Sequence, residues 1–393
     1  MDDTTNLLKK ADVVVFCSDA DRQNRINGKL FSQYIDCIVN DLLEKGTTVL
    51  SIAHPFAQKA GTECFNEPIS FNRKYFLNSI LIKFAQLLPL KVFNFEDVYI
   101  TILKRVQPKV ILTIDSPIRL VTAARKLNIH VIEVAHGIGY IKLVWGWANR
   151  TDIQLPHEIV VYDEVSKKTF GAIPNLLVTK VPHPLQRKYS SVKLKKQNTL
   201  NSNILVPLSW GYAGDHGEYT EQKNILKNGL LPAELITLMK TDRNYKWNIR
   251  LHPVHLANKA FYKKHFRLLD YLVNSYENIE YKNTSNKNLD DVLRTTDAVV
   301  SMQSMIVYDA AYCGIKSLVL CPNTLPGAIN EPFAEDLVRA GIVTKAPADM
   351  AYIANWLKIV QKHEPKIAEI AMNDYDSFLK AIAERLNPMR RCL

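Results

Sequence analysis

The stretch PKVILTIDSPIRLVTAARKLNIHVIEVA, residues 108–135, indicates the fold class of the chain. It begins with a continuous apolar run at 108–115, continues with apolar residues at helical spacing over 118–128, and ends with a second apolar run at 129–135. A continuous apolar run is typical of a strand that is buried on both faces, as in a parallel sheet. Because strand, helix and strand follow one another, the stretch predicts a doubly wound α/β sheet.

The same alternation extends from this stretch through the whole first half of the chain. Helices are predicted at 30–46, 75–89, 95–107 and 164–170. Further strands are predicted at 11–18, 47–53, 157–163 and 175–181. Together these elements predict a first Rossmann-like domain over residues 1–185.

A polar, basic stretch at 183–202 is interpreted as a linker, because it carries few apolar residues. After it, strands are predicted at 203–209, 246–252, 278–283, 297–302 and 316–322, and helices at 218–241, 257–276, 289–295 and 304–314. This alternation predicts a second Rossmann-like domain over residues 203–350. A helical pattern at 349–386 predicts that residues 351–393 form a tail packing back toward the first domain. We expect the two domains to face each other across a cleft.

The composition is that of an ordinary globular protein, because 47% of the 393 residues are hydrophobic and 23% are charged. No apolar run approaches the ~20 residues that a membrane span needs, and the amino terminus lacks the pattern of a signal peptide. Cysteines without a CxxC pair predict reduced thiols and a cytoplasmic protein. They are Cys17, Cys37, Cys64, Cys313, Cys321 and Cys392.

The formal net charge of +11 attracts anions of any class. No zinc-finger spacing, RNA-binding aromatic signature or long basic block is found, so no specific nucleic-acid binding is expected. Phosphate-bearing substrates and an anionic membrane surface remain as partners. The segment 140–150, with Lys142, Trp145, Trp147 and Arg150, is the candidate for peripheral contact with the inner face of the inner membrane. Burial of its tryptophans under a loop is the alternative.

Polar residues that directly follow a predicted strand are the candidate site residues, since ligands of open α/β sheets bind beyond the carboxyl ends of the strands. In the first half they are Asp19, Asp115, His136, Gly137 and Gly139. In the second half they are Ser209, Trp210, Gly211, Arg250, His252, Pro253, Ser301, Ser304 and Glu331, and Asp309 is a further candidate inside the helix that begins near Ser304. No metal-ligand spacing or cofactor motif accompanies them, so we expect neither a metal nor a cofactor.

The second-half candidates have the chemistry of a phosphate site. Arg250 has a fork of donors that can grip two phosphate oxygens, and Pro253 holds His252 in extended conformation. Ser301 and Ser304 lie where a helix begins, which is a natural place to bind an anion. An ordinary turn with a surface histidine and an N-cap without any ligand are the alternatives. Asp309 would hold a ribose or a neighbouring loop, or be solvated.

The first-half candidates suggest a catalytic base. A histidine such as His136 can serve as a general base, and flanking glycines such as Gly137 and Gly139 let the backbone approach a ligand closely. A satisfied loop histidine is the alternative. Asp115 would orient His136 or cap the helix at 118–128, and Asp19 and Asp115 are the alternative bases.

The ordered set IEVAHGIGY, LPHEIVVYDEVSKKTF, IRLHP and NLDDVLRTTDAVVSMQSMIVYDAAYCGIKSLVL resembles the two-domain glycosyltransferases of the GT-B fold. More narrowly it resembles bacterial capsule and lipopolysaccharide transferases, CDP-glycerol glycerophosphotransferases and CMP-sugar transferases. The resemblance implies a metal-independent enzyme with His136 at the catalytic centre. It also implies that Arg250 and His252 bind the donor phosphate and that Ser301 and Ser304 hold phosphate or nucleotide.

The resemblance implies an acceptor-binding first domain and a nucleotide-donor second domain. The expected reaction moves a sugar from a CMP-, CDP- or UDP-linked donor to a glycan or lipid-linked acceptor in capsule, O-antigen or lipopolysaccharide synthesis. A nucleotide-sugar 2-epimerase and a CDP-glycerol-type glycerophosphotransferase are the alternatives. A scaffold that keeps the fold without activity is a third, which nucleotide binding would contradict.

Overall fold

The structure, a computed structural model, describes residues 2–18, 22, 24–26, 28–57, 63–87, 97–143, 146–183, 202–209, 226–227, 230–360 and 372–386. The chain divides into two units. Unit 1 comprises Met1–Leu185 with Ala371–Leu393, and unit 2 comprises Gln186–Ile370. Each unit is built on a parallel sheet with helices between its strands.

The sheet of unit 1 is the doubly wound α/β sheet that residues 108–135 predict. Its strands and a short hairpin are β1 (Val13–Cys17), β2 (Asn24–Ile26), β3 (Lys29–Phe31), β4 (Val49–Ala53), β5 (Val110–Thr113), β6 (His130–Val134), β7 (Glu158–Val161) and β8 (Leu177–Lys180). The parallel order is β4-β1-β5-β6-β7-β8, and β2 pairs with β3 in antiparallel fashion. The strand order reverses beside β1, which is where such sheets bind ligands.

The helices of unit 1 follow its strands. They are α1 (Ile35–Glu44), α2 (Asn72–Leu87), α3 (Val98–Val106), α4 (Ile118–Lys126) and α5 (Glu164–Phe170). The prediction of a helix from residue 30 is wrong at its start, because residues 29–31 pair in the hairpin and the helix begins at Ile35. Apolar residues of a short strand cannot be told from those of a helix by their pattern alone.

Strand β1 shows why continuous apolar runs mark this fold. All its residues are buried. Val13 and Val15 pack into the core on one face, and Val14 and Phe16 pack into the core on the other. A strand between two layers of helices needs apolar side chains at every position, because both of its faces are covered.

A C-terminal helix (Met372–Leu386) belongs to unit 1. Tyr375 Oη donates a hydrogen bond to Asp41 Oδ2 at 2.6 Å. Arg385 Nη2 lies 2.9 Å from Glu158 Oε2. The apolar side chains that this helix adds to the core are Tyr375, Phe378, Leu379, Ile382 and Leu386.

The sheet of unit 2 repeats the doubly wound pattern. Its strands and a short hairpin are β9 (Ser202–Pro207), β10 (Leu226–Lys227), β11 (Leu231–Pro232), β12 (Tyr245–Arg250), β13 (Ile279–Glu280), β14 (Ala298–Ser301), β15 (Ser317–Val319) and β16 (Val343–Lys345). The parallel order is β13-β12-β9-β14-β15-β16. Its strand order reverses between β9 and β14, so residues after these two strands occupy the expected ligand position.

The helices of unit 2 depart from the predictions, and one of them, beginning at Lys282, replaces the end of the strand predicted at 278–283. They are α6 (Ala233–Thr241), α7 (Pro253–Ala257), α8 (Lys263–Ser275), α9 (Lys282–Asn286), α10 (Leu289–Leu293), α11 (Ile306–Tyr312), α12 (Glu335–Arg339) and α13 (Met350–Val360). The predicted helix at 257–276 begins only at Lys263, because α7 ends at Ala257 and its C-cap Asn258 has a ψ of 48°, which is not helical. In the region 218–241, where helices were predicted, Leu226–Lys227 and Leu231–Pro232 pair in the hairpin and α6 begins at Ala233, while residues 218–225 lie outside the described residues.

The predicted helical tail is divided between the units. Helix α13 belongs to unit 2, where Ile353 and Leu357 are buried. The C-terminal helix belongs to unit 1.

Candidate functional site

In unit 1, Asp115 and His136 meet at the carboxyl ends of β5 and β6. Asp115 Oδ1 lies 3.5 Å from His136 Nδ1, and both side chains are partly exposed. The alternative that Asp115 caps the following helix is wrong, because α4 has Pro117 at its N-cap and no side-chain cap. Asp115 has a φ of 54°, a left-handed conformation that aspartate and asparagine adopt more readily than most other residues.

The loop that carries His136 is fastened by residues after β7. Gly139 N donates to Asp163 Oδ2 at 2.8 Å, and Tyr140 N donates to Ser166 Oγ at 3.1 Å. Gly139 has a φ of 76°. A Cβ at Gly137 would lie 3.0 Å from the Tyr140 hydroxyl oxygen. Both glycines are therefore explained by the shape of the loop itself, which holds His136 in place.

A buried carboxyl group, Glu133 of β6, lies beside this pair and was not among the sequence candidates. Its Oε2 accepts a hydrogen bond from Ser116 N at 2.9 Å. The Arg150 guanidinium donates to Ser116 Oγ at 3.0 Å and to the Ser116 carbonyl at 3.2 Å. Burial raises the pKa of Glu133 to about 7, and the charge of Asp115 adds to the rise. A lone acid in the apolar run IHVIEVA is the signal that would have found it.

Replacing Glu133 with glutamine is expected to stabilise the protein at pH 8 but not at pH 4. The carboxyl pKa rises from 4.5 in the unfolded chain to about 7 in the folded protein. Its stabilising contribution is therefore present below pH 4.5 and lost as the pH rises through 7. The gain of Glu133→Gln at pH 8 should be on the order of 3 kcal/mol in urea unfolding. Equal effects at both pH values would contradict the raised pKa.

Trp147, one of the two tryptophans of the segment 140–150, is buried and does not contribute to an exposed aromatic surface. Trp147 is 4% exposed, and its ring packs edge-on against Phe170 at 5.1 Å. The Arg150 guanidinium lies over the Trp147 ring at 4.5 Å. Burial of Trp147 under a loop, the alternative interpretation, is correct, while Trp145 lies outside the described residues.

At the end of β1 the structure contains a buried ion pair. Arg22 Nε lies 3.0 Å from Asp36 Oδ2, and Arg22 Nη2 lies 3.2 Å from Asp36 Oδ1. Asp36 Oδ2 also accepts a hydrogen bond from Ser32 N at 2.7 Å. The neighbouring candidate Asp19 lies outside the described residues. Arg22 and Asp36 thus fix the chain where β1 ends, at the reversal of the strand order.

In unit 2, Arg250 and His252 stand at the end of β12. Arg250 Nη1 donates to the carbonyl oxygens of Thr284 and Lys287, the latter at 2.9 Å. His252 caps α7, and its Nδ1 accepts a hydrogen bond from Val254 N at 3.3 Å. The proton of the neutral ring therefore resides on Nε2. Burial lowers the pKa of His252 to about 4, so this imidazole is a neutral donor at pH 7.

The register of the sheet aligns the candidates of unit 2. Arg250 is level with Pro207 of β9. Val299 is level with Leu205, so two residues further along both strands Ser301 is level with Pro207. Parallel strands lie about 4.8 Å apart, which places the backbones of Arg250 and Ser301 roughly 10 Å from each other. These ends therefore share one edge of the sheet, at the reversal of its strand order.

Ser301 and Ser304 lie at this edge of the sheet, and their hydroxyl groups differ in their hydrogen bonds. Ser301 Oγ is buried and has no hydrogen-bond partner among the described residues. Ser304 Oγ accepts from Ile306 N at 3.3 Å, one residue before the N-cap of α11. The Ser301 hydroxyl therefore retains a hydrogen-bonding capacity that no described residue uses.

Asp309 is buried in α11, so the alternative that it is solvated is wrong. Burial raises the pKa of Asp309 to about 7, and the positive charge of Arg250 opposes that rise. Arg250 is therefore close enough to Asp309 for their charges to interact. The two residues link the end of β12 with α11.

A residue that the sequence candidates omitted, Gln303, ties three segments together. Ser209 Oγ donates to the Gln303 carbonyl, and Asn330 Nδ2 donates to Gln303 Oε1 at 3.2 Å. The candidate Glu331 is exposed, and its Oε2 accepts from Gly327 N at 2.9 Å. Asn323 is buried, and its Nδ2 has no hydrogen-bond partner in the described part of the chain. The candidates Trp210 and Gly211 lie outside the described residues.

Unit 1 thus provides a His–Asp pair beside a buried carboxyl group, and unit 2 provides neutral donors at a strand reversal. Over the described residues, no group of three or more His, Cys, Asp or Glu side chains is placed to hold a metal ion. The arrangement in unit 1 can accept and hold protons. The arrangement in unit 2 can donate hydrogen bonds to an anion.

Comparisons with known proteins bear on the fold. No protein-family model matches the chain, and no curated protein matches it in sequence. A UDP-GlcNAc 2-epimerase from Methanocaldococcus jannaschii, solved with UDP-GlcNAc and UDP, is 13% identical with a TM-score of 0.55, covering 94% of this chain and 99% of that chain. A variant of the wall teichoic acid polymerase TagF is 12% identical with a TM-score of 0.54, covering 99% of this chain and 92% of that chain. A glycotransferase of kitacinnamycin is 13% identical with a TM-score of 0.51, covering 96% of this chain and 94% of that chain. The chain has two Rossmann-like units and the GT-B-like fold of these glycosyltransferases and epimerases.

Proposed function

We propose that the protein is a glycosyltransferase that moves a sugar from a nucleotide-activated donor to a hydroxyl of a glycan or lipid-linked acceptor. The observation that carries the proposal is the His136–Asp115 pair at 3.5 Å on adjacent strand ends of a Rossmann-like unit. A carboxylate that orients an imidazole is the arrangement by which proteins activate a hydroxyl group. The donors of unit 2 supply the complementary phosphate site.

In this proposal His136 takes the proton of the acceptor hydroxyl. Asp115 holds the ring through Nδ1, so Nε2 is the nitrogen that receives the proton. The freed acceptor oxygen bonds to the anomeric carbon of the donor as the bond from that carbon to the phosphate oxygen breaks. The departing phosphate keeps the electron pair and develops negative charge.

Unit 2 stabilises that charge in the proposal. His252 donates through Nε2, and Ser301 donates through the buried hydroxyl that has no partner among the described residues. Arg250 contributes its charge from its position on the Thr284 and Lys287 carbonyls. Preorganised donors of this kind stabilise a leaving phosphate without reorganising during the reaction. The capsule, O-antigen or lipopolysaccharide role belongs to the proposal through the resemblance of the motifs.

Replacing His252 with asparagine is expected to weaken nucleotide binding by ~1.5–3 kcal/mol, the usual contribution of a hydrogen bond to a charged group. Asparagine is a preferred N-cap and can accept from Val254 N, so α7 should keep its cap while the distal N–H is lost. Calorimetric titration with CMP, CDP, UDP and GDP measures the loss and identifies the base. Unchanged affinity, with an unchanged melting temperature, would remove His252 from the donor site.

A nucleotide-sugar 2-epimerase is the second candidate, and Glu133 is the observation that favours it. Inverting a carbon centre requires groups that remove and return a proton, and the pKa of Glu133, raised to about 7 by burial, suits both tasks. Turnover of the donor without any acceptor would support the epimerase. Turnover that requires an acceptor hydroxyl supports the transferase. A CDP-glycerol-type glycerophosphotransferase is distinguished by transfer of glycerol phosphate, and not of a sugar, from its CDP-linked donor to an acceptor.

The net charge of +11 supports peripheral association with an anionic membrane surface, which we propose as part of the function. Among the described residues, no helix is both long and apolar enough to cross a membrane. The association would bring the enzyme to a lipid-linked acceptor.

A further inference from the structure

Helix α2 exposes large apolar side chains along one face. Phe76 is 42% exposed, Leu77 49%, Leu81 43% and Phe84 59%. At 3.6 residues per turn, positions 76, 77, 80, 81 and 84 fall within one arc of about 140°. These residues form a continuous apolar stripe, which we call the outer face of α2. An amphipathic helix normally directs such a stripe toward the core.

The opposite face of α2 is polar and packs against the body of unit 1. Arg119 Nη1 donates to Ser79 Oγ at 2.9 Å, and Arg119 Nη2 donates to Asn78 Oδ1 at 2.8 Å. The Arg119 guanidinium also lies over the Tyr75 ring at 4.8 Å and pairs with Asp97 at 2.7 Å. These bonds fix the orientation of α2, so the apolar face is held outward by specific contacts.

The charges on α2 complement an anionic surface. The helix carries Arg73, Lys74 and Lys83 and no acidic residue. At 100° per residue, Lys83 falls about 20° outside one edge of the apolar arc, and Arg73 lies within the arc one turn before Phe76 and Leu77. Lys74 Nζ donates to Thr5 Oγ1 instead. A basic side chain at the edge or end of an apolar stripe can extend its charge to lipid headgroups while the stripe enters the acyl boundary.

We propose that the outer face of α2 docks on an anionic lipid bilayer with the helix lying in the plane of the headgroups. A second copy of the chain is a poorer occupant, because α2 of that copy would offer no acidic side chain to the basic residues of the first. The inference rests on the membrane association proposed above and names the surface that carries it.

Flotation with two kinds of vesicle tests the proposal. One kind is phosphatidylcholine alone, and the other is an equal mixture of phosphatidylcholine and phosphatidylglycerol. The wild type should bind the mixed vesicles, and Phe76→Gln/Phe84→Gln should reduce that binding at least about tenfold, as expected for two aromatic rings leaving an apolar environment. The matched control Phe261→Gln/Tyr352→Gln changes side chains that are 69% and 44% exposed in unit 2 and should bind normally.

A third variant separates the two contributions, because Arg73→Gln/Lys83→Gln should remove the preference for the anionic vesicles. Unchanged binding of the α2 aromatic variant would overturn the role of α2 and leave the membrane association standing. A wild type that binds neither vesicle would overturn both. If the wild type is a dimer in sedimentation velocity and Phe76→Gln/Phe84→Gln dissociates it, the outer face of α2 binds a second copy of the chain and the bilayer proposal is overturned. Nucleotide titration of the same samples reports separately on the glycosyltransferase proposal.

Discussion

Replacing His136 with alanine is expected to lower turnover by about 10²–10⁴-fold, the usual contribution of a general base. The affinity for the donor nucleotide should stay nearly unchanged, because the proposed donor groups are in unit 2. The His136 ring is held 3.5 Å from Asp115 and lies on a loop fastened to Asp163 and Ser166. Its removal should therefore take away a proton acceptor that is already positioned. Steady-state kinetics with separate titrations of donor and acceptor measures the effect.

A matched variant, Asp115→Asn, tests whether the pair acts together. Asparagine is among the residues that tolerate the left-handed φ of 54° found at position 115, so the backbone should be kept. We expect a smaller loss than for His136→Ala, because the imidazole remains without its orienting charge. Near-normal turnover of His136→Ala would make His136 a loop histidine and leave Asp115 or Asp19 as the base.

Replacing Asp36 with alanine is expected to lower the free energy of unfolding by about 3–5 kcal/mol, the cost of leaving a buried charge without its partner. The side chains of Arg22 and Asp36 are both 0% exposed and meet through two contacts, at 3.0 and 3.2 Å. Removing Asp36 also takes the acceptor from Ser32 N. Urea unfolding followed by circular dichroism measures the loss.

The control for this pair removes both charges at once. Arg22→Met/Asp36→Leu should recover most of the stability, because apolar side chains of similar volume can replace a buried ion pair without penalty. Asp36→Ala with a loss below about 1 kcal/mol would mean that water reaches the arginine once the carboxylate is gone, as for an exposed pair.

The parallel sheets could be predicted from sequence because burial on both faces leaves a mark at every position of a strand. Strand β5 is apolar or small throughout and buried throughout, and it was predicted within two residues of its bounds. The break between α7 and α8 could not be predicted in the same way. Asn258 and Tyr262 leave helical geometry through local dihedral angles, and these have no counterpart in the hydrophobic period.

The site was only partly predictable, for a related reason. His136 and Asp115 follow strands, and the rule that ligands bind at strand ends places them together. Glu133 lies inside a strand, and its significance comes from burial beside Ser116 and Arg150, which only the tertiary structure shows. Likewise the apolar stripe of α2 has the period of a core helix, and which way it points depends on the bonds that Arg119 makes.

The C-terminal helix has a consequence for the order in which the protein is made. Leu379, Ile382 and Phe378 of this helix are buried in the core of unit 1, together with β1 residues such as Val13 and Val15. Translation therefore produces the first part of that core some 350 residues before the last. On the ribosome, unit 2 can complete its sheet before this helix is made. The helix contacts β5, so that part of the core of unit 1 must wait for burial, and during that interval chaperones would find its apolar side chains accessible.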